Sequence, residues 1–190
     1  MSDASVKVLG FAGSLRKGSL NRMLLRAAAE LAPPGMTIET FDLSEIPLYN
    51  GDVEARGDPP PVAAFKSAIR GADALLIATP EYNYGVPGVL KNAIDWASRP
   101  PNKSVLNDKP AAVMGASPGG FGTARAQLQL RQAFCFTQTL PVQQPEVLVA
   151  RATEKFDADG RLTDEKTKEV VRALLVTLQG WTERLRRGRA

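Results

Sequence analysis

Val6-Lys7-Val8-Leu9-Gly10-Phe11-Ala12-Gly13-Ser14-Leu15-Arg16-Lys17-Gly18-Ser19-Leu20-Asn21 sets the pattern of the chain. Its first part, Val6–Phe11, is a short apolar run with β-branched residues, which predicts a strand. Gly13 ends that strand. Asn21–Leu31 then carries apolar residues at Met23, Leu24, Ala27, Ala28 and Leu31, the spacing of a helix. Pro33, Pro34 and Gly35 stop it. A strand, a glycine-bearing polar turn and a helix thus follow one another within 26 residues, 6–31.

The alternation continues. Thr37–Asp42 reads as a second strand, and residues 44–61, rich in Pro, Gly and Asp, as a long surface loop. Val62–Arg70 is a helix, Ala74–Thr79 a buried strand ended by Pro80, and Gly88–Ala97 a helix. Ala111–Ala116, Thr123–Phe136 and Val147–Ala150 follow as strand, helix and strand, and Asp164–Arg187 as a long last helix. Apolar strands alternating with helices predict an α/β fold: a parallel sheet covered on both faces, in three layers, doubly wound. Five strands favour the flavodoxin-like order 2-1-3-4-5 over a six-stranded Rossmann order. Ligands of such sheets bind beyond the carboxyl ends of the strands, which directs attention to the loops after strands one, three and four.

Composition narrows the chemistry. At 190 residues the chain is expected to be one domain, 1–190. It has one cysteine and no histidine, which excludes an intrachain disulfide, a CxxC pair, a Cys/His zinc site and any histidine-based catalytic triad. No metal site is expected. The net charge of +4, from 24 basic and 20 acidic residues, suits small anionic ligands. Arg184, Arg186, Arg187 and Arg189 gather at the end, where they complement the dipole of the last helix. Met1–Val6 holds an acid and no Lys or Arg, and no apolar run approaches the ~20 residues of a spanning helix. A cytoplasmic location is the expectation, with no membrane or nucleic-acid partner.

The first loop, Gly13–Asn21, places serines, an asparagine and two cations at a helix amino end, where free N–H groups and the dipole favour an anion. A Ser19 cap alone would need one such residue, and this loop has more. Gly13-x4-Gly18 begins like a nucleoside-triphosphate loop, but Ser19-Leu20 stands where Lys-Ser/Thr is required. GxGxxG is absent too, and Asp42 at the end of strand two is a weak ribose-site match without it. A terminal monophosphate remains. The second loop, Thr79–Gly88, holds two of the three tyrosines, suited to bordering a planar ring or to a protein contact. The third, Ala116–Thr123, has three glycines that admit close backbone approach, and Thr123 is a candidate helix cap.

GSLRKGSLN at 13–21, PEYNYGVPGVLKNAIDW at 80–96 and SPGGFGTARAQ at 117–127 resemble the flavodoxin-like NAD(P)H-dependent FMN reductases, in particular the chromate or quinone reductase branch. The resemblance implies a non-covalent FMN. Ser14, Arg16, Ser19, Leu20 and Asn21 would hold its phosphate; Pro80, Glu81, Tyr82 and Asn83 would line its ring; Ser117, Gly119 and Gly120 would face its pyrimidine side. NAD(P)H, the co-substrate, would pass hydride to the ring and an acceptor would then take its place, a ping-pong scheme in which no side chain is the catalyst. The N–H groups of Gly119 and Gly120, expected at a helix start, would stabilise charge at N1. Tyr84, Arg99 and Phe121 are the candidate substrate contacts. Acceptors of this kind include quinones, free flavin, azo and nitro compounds and chromate, and such proteins assemble as homodimers or homotetramers. A flavodoxin-type electron carrier without direct hydride uptake, for which +4 is an unusual charge, and a non-flavin module on the same fold are the alternatives. Cys135, between Phe134 and Phe136, reads as a buried structural thiol, Trp96 as a packing residue and Asp95 as a loop-holding hydrogen-bonder.

Overall fold

A computed structural model describes residues 5–188; Met1–Ala4 and Arg189, named above, lie outside them. The elements are β1 (Val6–Ala12), α1 (Leu20–Glu30), β2 (Met36–Phe41), α2 (Gly51–Glu54), α3 (Pro60–Gly71), β3 (Ala74–Ala78), α4 (Gly88–Ala97), β4 (Pro110–Ala116), α5 (Ala124–Thr137), β5 (Leu140–Pro141), β6 (Val147–Val149) and α6 (Glu165–Arg187). The sheet is parallel, in the order β2-β1-β3-β4-β5, with β6 also on β4. This is the flavodoxin-like 2-1-3-4-5 sheet.

Two features differ from the sequence expectation. The fifth position is shared: β5 pairs at Pro110↔Leu140 and β6 further along β4 at Met114↔Val147. Leu140–Pro141 is too short to carry a period, and its proline, unable to donate, is tolerated at an edge. The 44–61 loop contains the one-turn helix α2, whose first turn is capped by the Asn50 side chain accepting from Asp52 N–H at 2.8 Å.

The strands bury both faces by strict alternation. Val6, Val8, Leu76, Ala112 and Met114 face one layer, with Leu24 and Ala28 of α1 and Leu174, Leu175 and Leu178 of α6. Leu9, Phe11, Leu75, Ile77 and Val113 face the other, with Phe65 and Ile69 of α3, Leu90 and Ile94 of α4 and Leu130 and Phe134 of α5. Period two on both faces is what makes such strands read as continuous apolar runs.

The phase of α5 corrects the reading of Cys135. Ala126, Leu130 and Phe134 recur every four residues on the buried side, so the next residue turns outward. Cys135 is an exposed, free thiol. Trp96 is fully buried and donates its indole N–H to Pro47 O at 2.8 Å. Asn92, not Asp95, shares the holding of that loop: it donates to Pro47 O and accepts from Tyr49 N–H, both at 2.8 Å. Asp95 pairs with Lys91 one turn back on the helix surface.

Candidate active site

All strands run the same way, so the loops after β1, β3 and β4 meet at one edge, with the strand order reversing between β1 and β3. Gly13 leaves β1 where a Cβ would stand 2.9 Å from Leu90 Cβ and 3.3 Å from Pro80 Cδ. Only a residue without a side chain passes between α4 and the second loop there.

Loop one presents donors without acceptors. The Ser19 hydroxyl oxygen accepts from Arg22 N–H at 3.3 Å and caps α1, leaving its own O–H to donate. Among the described residues nothing accepts from the N–H groups of Ser14, Leu15, Arg16, Lys17 and Gly18, or from Leu20 and Asn21 at the helix start. Ser14 is nearly buried, and Arg16 is exposed with no anionic partner in the described chain. A ring of unspent donors beside a positive helix end fits a phosphate.

Asn21 has another task. Its Nδ2 donates to Ala116 O at 2.8 Å and its Oδ1 accepts from Ala116 N–H at 2.9 Å. These two bonds tie the side-chain amide to the end of β4 and lock loop one to loop three. The backbone N–H of Asn21 and the second N–H of its Nδ2 have no acceptor among the described residues.

Loop two is a tight hairpin. Tyr82 and Gly85 exchange backbone hydrogen bonds at 3.2 and 3.0 Å, and the residues between them, Asn83 and Tyr84, have φ of 50° and 64°. Both central residues at positive φ define a type I′ turn. Asn tolerates that region; a tyrosine there carries strain of about 1–2 kcal/mol. The turn pushes Tyr82 and Tyr84 outward, 50% and 72% exposed, while Pro80 is buried.

Loop two is then clamped to α5. The Glu81 carboxylate accepts from the N–H groups of Arg125 and Ala126 at 2.8 and 3.0 Å and from Arg125 Nη1 at 3.2 Å. Gln129 Oε1 accepts from Val86 N–H at 2.6 Å. The Arg125 guanidinium lies 4.0 Å from the centre of the Tyr84 ring and 4.6 Å from that of Phe121. So Glu81, expected to line a ring, spends its carboxylate as the cap of α5. Thr123, the expected cap, makes no cap bond; its hydroxyl oxygen accepts from Gln127 Nε2 instead. The positive end of α5 is neutralised by Glu81 and is not free to stabilise a ligand. Gly119 and Gly120 precede α5 by several residues, and the Gly119 N–H donates to Ser117 Oγ at 3.1 Å.

Gly119 and Gly120 are exposed, and nothing stands within 4 Å of a Cβ built on Gly120. This leaves the glycine backbone of loop three as an uncovered floor at the edge where the three loops meet. Of the candidate residues, the structure brings together Ser14, Arg16, Ser19, Leu20, Asn21, Pro80, Glu81, Tyr82, Asn83, Tyr84, Ser117, Gly119, Gly120 and Phe121 on the three converging loops. It does not bring Arg99. That residue follows the far end of α4, about 16 Å along the helix from Gly88 at 1.5 Å per residue. There its guanidinium lies 5.8 Å from the Tyr49 ring centre.

The donor-lined phosphate loop and the open glycine floor fit a flavin mononucleotide, and sequence comparison agrees. Residues 6–154 match the model of the NADPH-dependent FMN reductases. The chain belongs to the NADPH-dependent FMN reductase family. An NAD(P)H-dependent FMN reductase of Pseudomonas aeruginosa is 57% identical over 98% of this chain and 100% of its own length. An NAD(P)H:quinone oxidoreductase of Solanum tuberosum is 49% identical, covering 95% of each chain. Among solved structures, the FerB flavoenzyme NAD(P)H:(acceptor) oxidoreductase of Paracoccus denitrificans superposes with a TM-score of 0.86 at 38% identity, over 94% of this chain and 98% of that one. Membership decides for an oxidoreductase over a carrier or a non-flavin module, with FMN as cofactor and NAD(P)H as co-substrate. Sequence reasoning had missed three members of this reductase's site framework: Gln129, Arg125 as the partner of Glu81, and Ala116 as the partner of Asn21. Each depends on a contact between residues 43 or more positions apart, which no local pattern encodes.

Proposed function

We propose that this reductase passes electrons from NAD(P)H by way of FMN to small flat acceptors, quinones first, in a ping-pong cycle on one open face. The observation that carries this reading is the loop of unspent N–H donors after β1, with the exposed Tyr82–Tyr84 turn and the exposed Gly119–Gly120 backbone on the two loops that converge with it. Bound FMN supplies a ring that takes up two electrons as hydride and gives them on. Ser14, Arg16, Ser19 and the loop-one N–H groups hold its phosphate, with Leu20 and the backbone of Asn21 at the helix start. Pro80, the backbone of Glu81, Tyr82 and Asn83 border the ring on one side; Ser117, Gly119 and Gly120 border it on the other. Tyr84 and Phe121, fixed against Arg125, form the rim that reductant and acceptor both cross. Glu81 is tied to α5 and the chain has no histidine, so acceptor protons come from solvent or from the exposed hydroxyl of Tyr82 or Tyr84.

The name of the potato relative supports quinones as acceptors. Free flavin, azo and nitro compounds and chromate belong to the same proposal, because the open face selects for reach and flatness. A homodimer or homotetramer is part of it: Leu128 and Phe136, 60% and 70% exposed on α5, are apolar surface that a second copy would cover. Arg99 then serves the site only as a residue of that second copy. A cytoplasmic setting follows from the need for NAD(P)H; none of these steps requires a membrane or a nucleic acid. Initial rates at varied NADPH and several fixed benzoquinone concentrations test the cycle. Parallel double-reciprocal lines are expected; converging lines contradict it.

A further inference from the structure

Beside loop one lies a second concavity that the flavin reading leaves unused. It is a groove of about 840 Å³ between α1 and the uncovered face of the edge strand β2, closed at one end by Ala158 and Asp159. That size is within the ~300–1,000 Å³ of small-ligand sites. Ser14 and Lys17 line it, so the groove adjoins the loop assigned to the flavin phosphate. Its floor is the side of β2 that carries Ile38 and Thr40 and ends at Asp42; its wall is Leu25 and Ala29 of α1.

Charge is distributed along it in order. Lys17, on the loop-one side, is exposed and makes no ion pair within the described chain. Arg22 follows, with one nitrogen 3.1 Å from Asp42 Oδ2, and then Arg26, donating to Gly160 O at 2.7 Å. Each guanidinium has five N–H donors, so these contacts leave donors for an anion. The Ser44 N–H and the nearby Arg22 hold the Asp42 carboxyl below the usual range, so it stands ionised as an acceptor. The apolar strip of Leu25 and Ile38 lies beyond.

A phosphate neighbour, a carboxylate at the end of the second strand and an apolar strip beyond it are, in that order, what an adenosine phosphate needs. In sheets with the GxGxxG turn an acid at the end of strand two takes the adenosine ribose; this chain lacks those glycines, so the assignment rests on the lining of the groove itself, with Asp42 beside Arg22 and next to Ser14 and Lys17. The geometry points to this groove as an adenylate site: it takes the adenosine-phosphate half of FAD, so that the flavin held by loop one can be FAD as well as FMN. Lys17 and Arg22 meet the second phosphate, Asp42 accepts from the ribose hydroxyls, and the adenine lies on Ile38 and Leu25. The inference rests on the placement of the flavin phosphate in loop one.

The test is binding, read by quenching of flavin fluorescence on titrating flavin-free protein with FMN and with FAD. FAD is expected to bind within tenfold of FMN. Thr40→Trp fills the floor of the groove from an exposed position; it is expected to weaken FAD at least tenfold and leave FMN unchanged, the FMN titration itself showing that the variant is folded. Thr40→Glu, which sets a like charge against the second phosphate, serves if the tryptophan impairs folding. FAD binding more than tenfold weaker than FMN to the native chain overturns the proposal, as does a Thr40 variant with an unaltered FAD-to-FMN ratio. A Thr40 variant that raises only the KM for NADPH overturns it in favour of the substrate dinucleotide. Failure of the native chain to bind FMN removes the loop-one reading itself, a result distinct from all the others.

Discussion

The Glu81 carboxylate and the Arg125 residue meet twice, once through the backbone N–H of Arg125 at 2.8 Å and once through its guanidinium at 3.2 Å. One side chain thereby caps α5, anchors the tyrosine hairpin and fixes the cation between Tyr84 and Phe121. Glu81→Ala removes all of this and leaves two helix-start donors without a partner. It is expected to lower the unfolding free energy by about 1–3 kcal/mol and to weaken FMN binding; Glu81→Gln, which keeps an acceptor oxygen, is expected to lose less than half as much. Denaturant titration of flavin-free protein and FMN titration measure the two effects.

Asn21 and Arg16 separate the two duties of loop one. Asn21→Ala strands the buried Ala116 N–H and C=O, at a cost of about 2–4 kcal/mol to the flavin-free protein. The denaturation midpoint of the apoprotein reports it, and an apoprotein of native stability would show that the Asn21–Ala116 pair contributes nothing.

Arg16→Ala behaves oppositely. The side chain is exposed and unpaired within the described chain, so apoprotein stability is expected to hold. Loss of a charge-assisted phosphate contact of about 1.5–3 kcal/mol weakens FMN about 10–100-fold. Fluorescence titration reads the change.

These two residues also show what was legible in the sequence. The strand periods, the order 2-1-3-4-5 and the convergence of three loops followed from apolar runs and turn residues, because local pattern determines them. The placement of Ser14, Arg16 and Gly120 on two of the three converging loops followed from the same pattern. The side-chain bonds of Asn21 and Glu81 did not, because an amide or carboxylate reads the same whether its partner is a ligand or a backbone 44 or 95 residues away. The distance of Arg99 was hidden for a related reason: the motif runs through α4, and the helix carries its last residues away from the loops. β5 and α2 were too short to show a period, and Cys135 was misread from its phenylalanine neighbours when the phase of α5 decided its side.

Acid stability follows from three carboxylates. Burial pushes the Asp73 carboxyl up, but the Arg186 guanidinium and the Lys7 N–H outweigh it; the Thr167 hydroxyl holds Asp164 down, and the Ser44 N–H holds Asp42 down. Each folded value lies below the reference of 3.8, so the stabilisation is present above that pH and is lost as pH falls through the lowered values. With no histidine to titrate, unfolding free energy is expected to be flat from about pH 5 to 7 and to drop below about 4. Urea titrations across that range test it; a step near pH 6.5 would contradict it.

The central claim is that the three loops hold FMN where NAD(P)H can reduce it. The visible spectrum of the purified protein, supplied with FMN and recorded without oxygen before and after NADPH or NADH, tests it most directly. Two flavin bands that bleach on addition of a nicotinamide nucleotide and return with benzoquinone are expected. Absence of bound flavin, or bound flavin that neither nucleotide bleaches, would contradict the account.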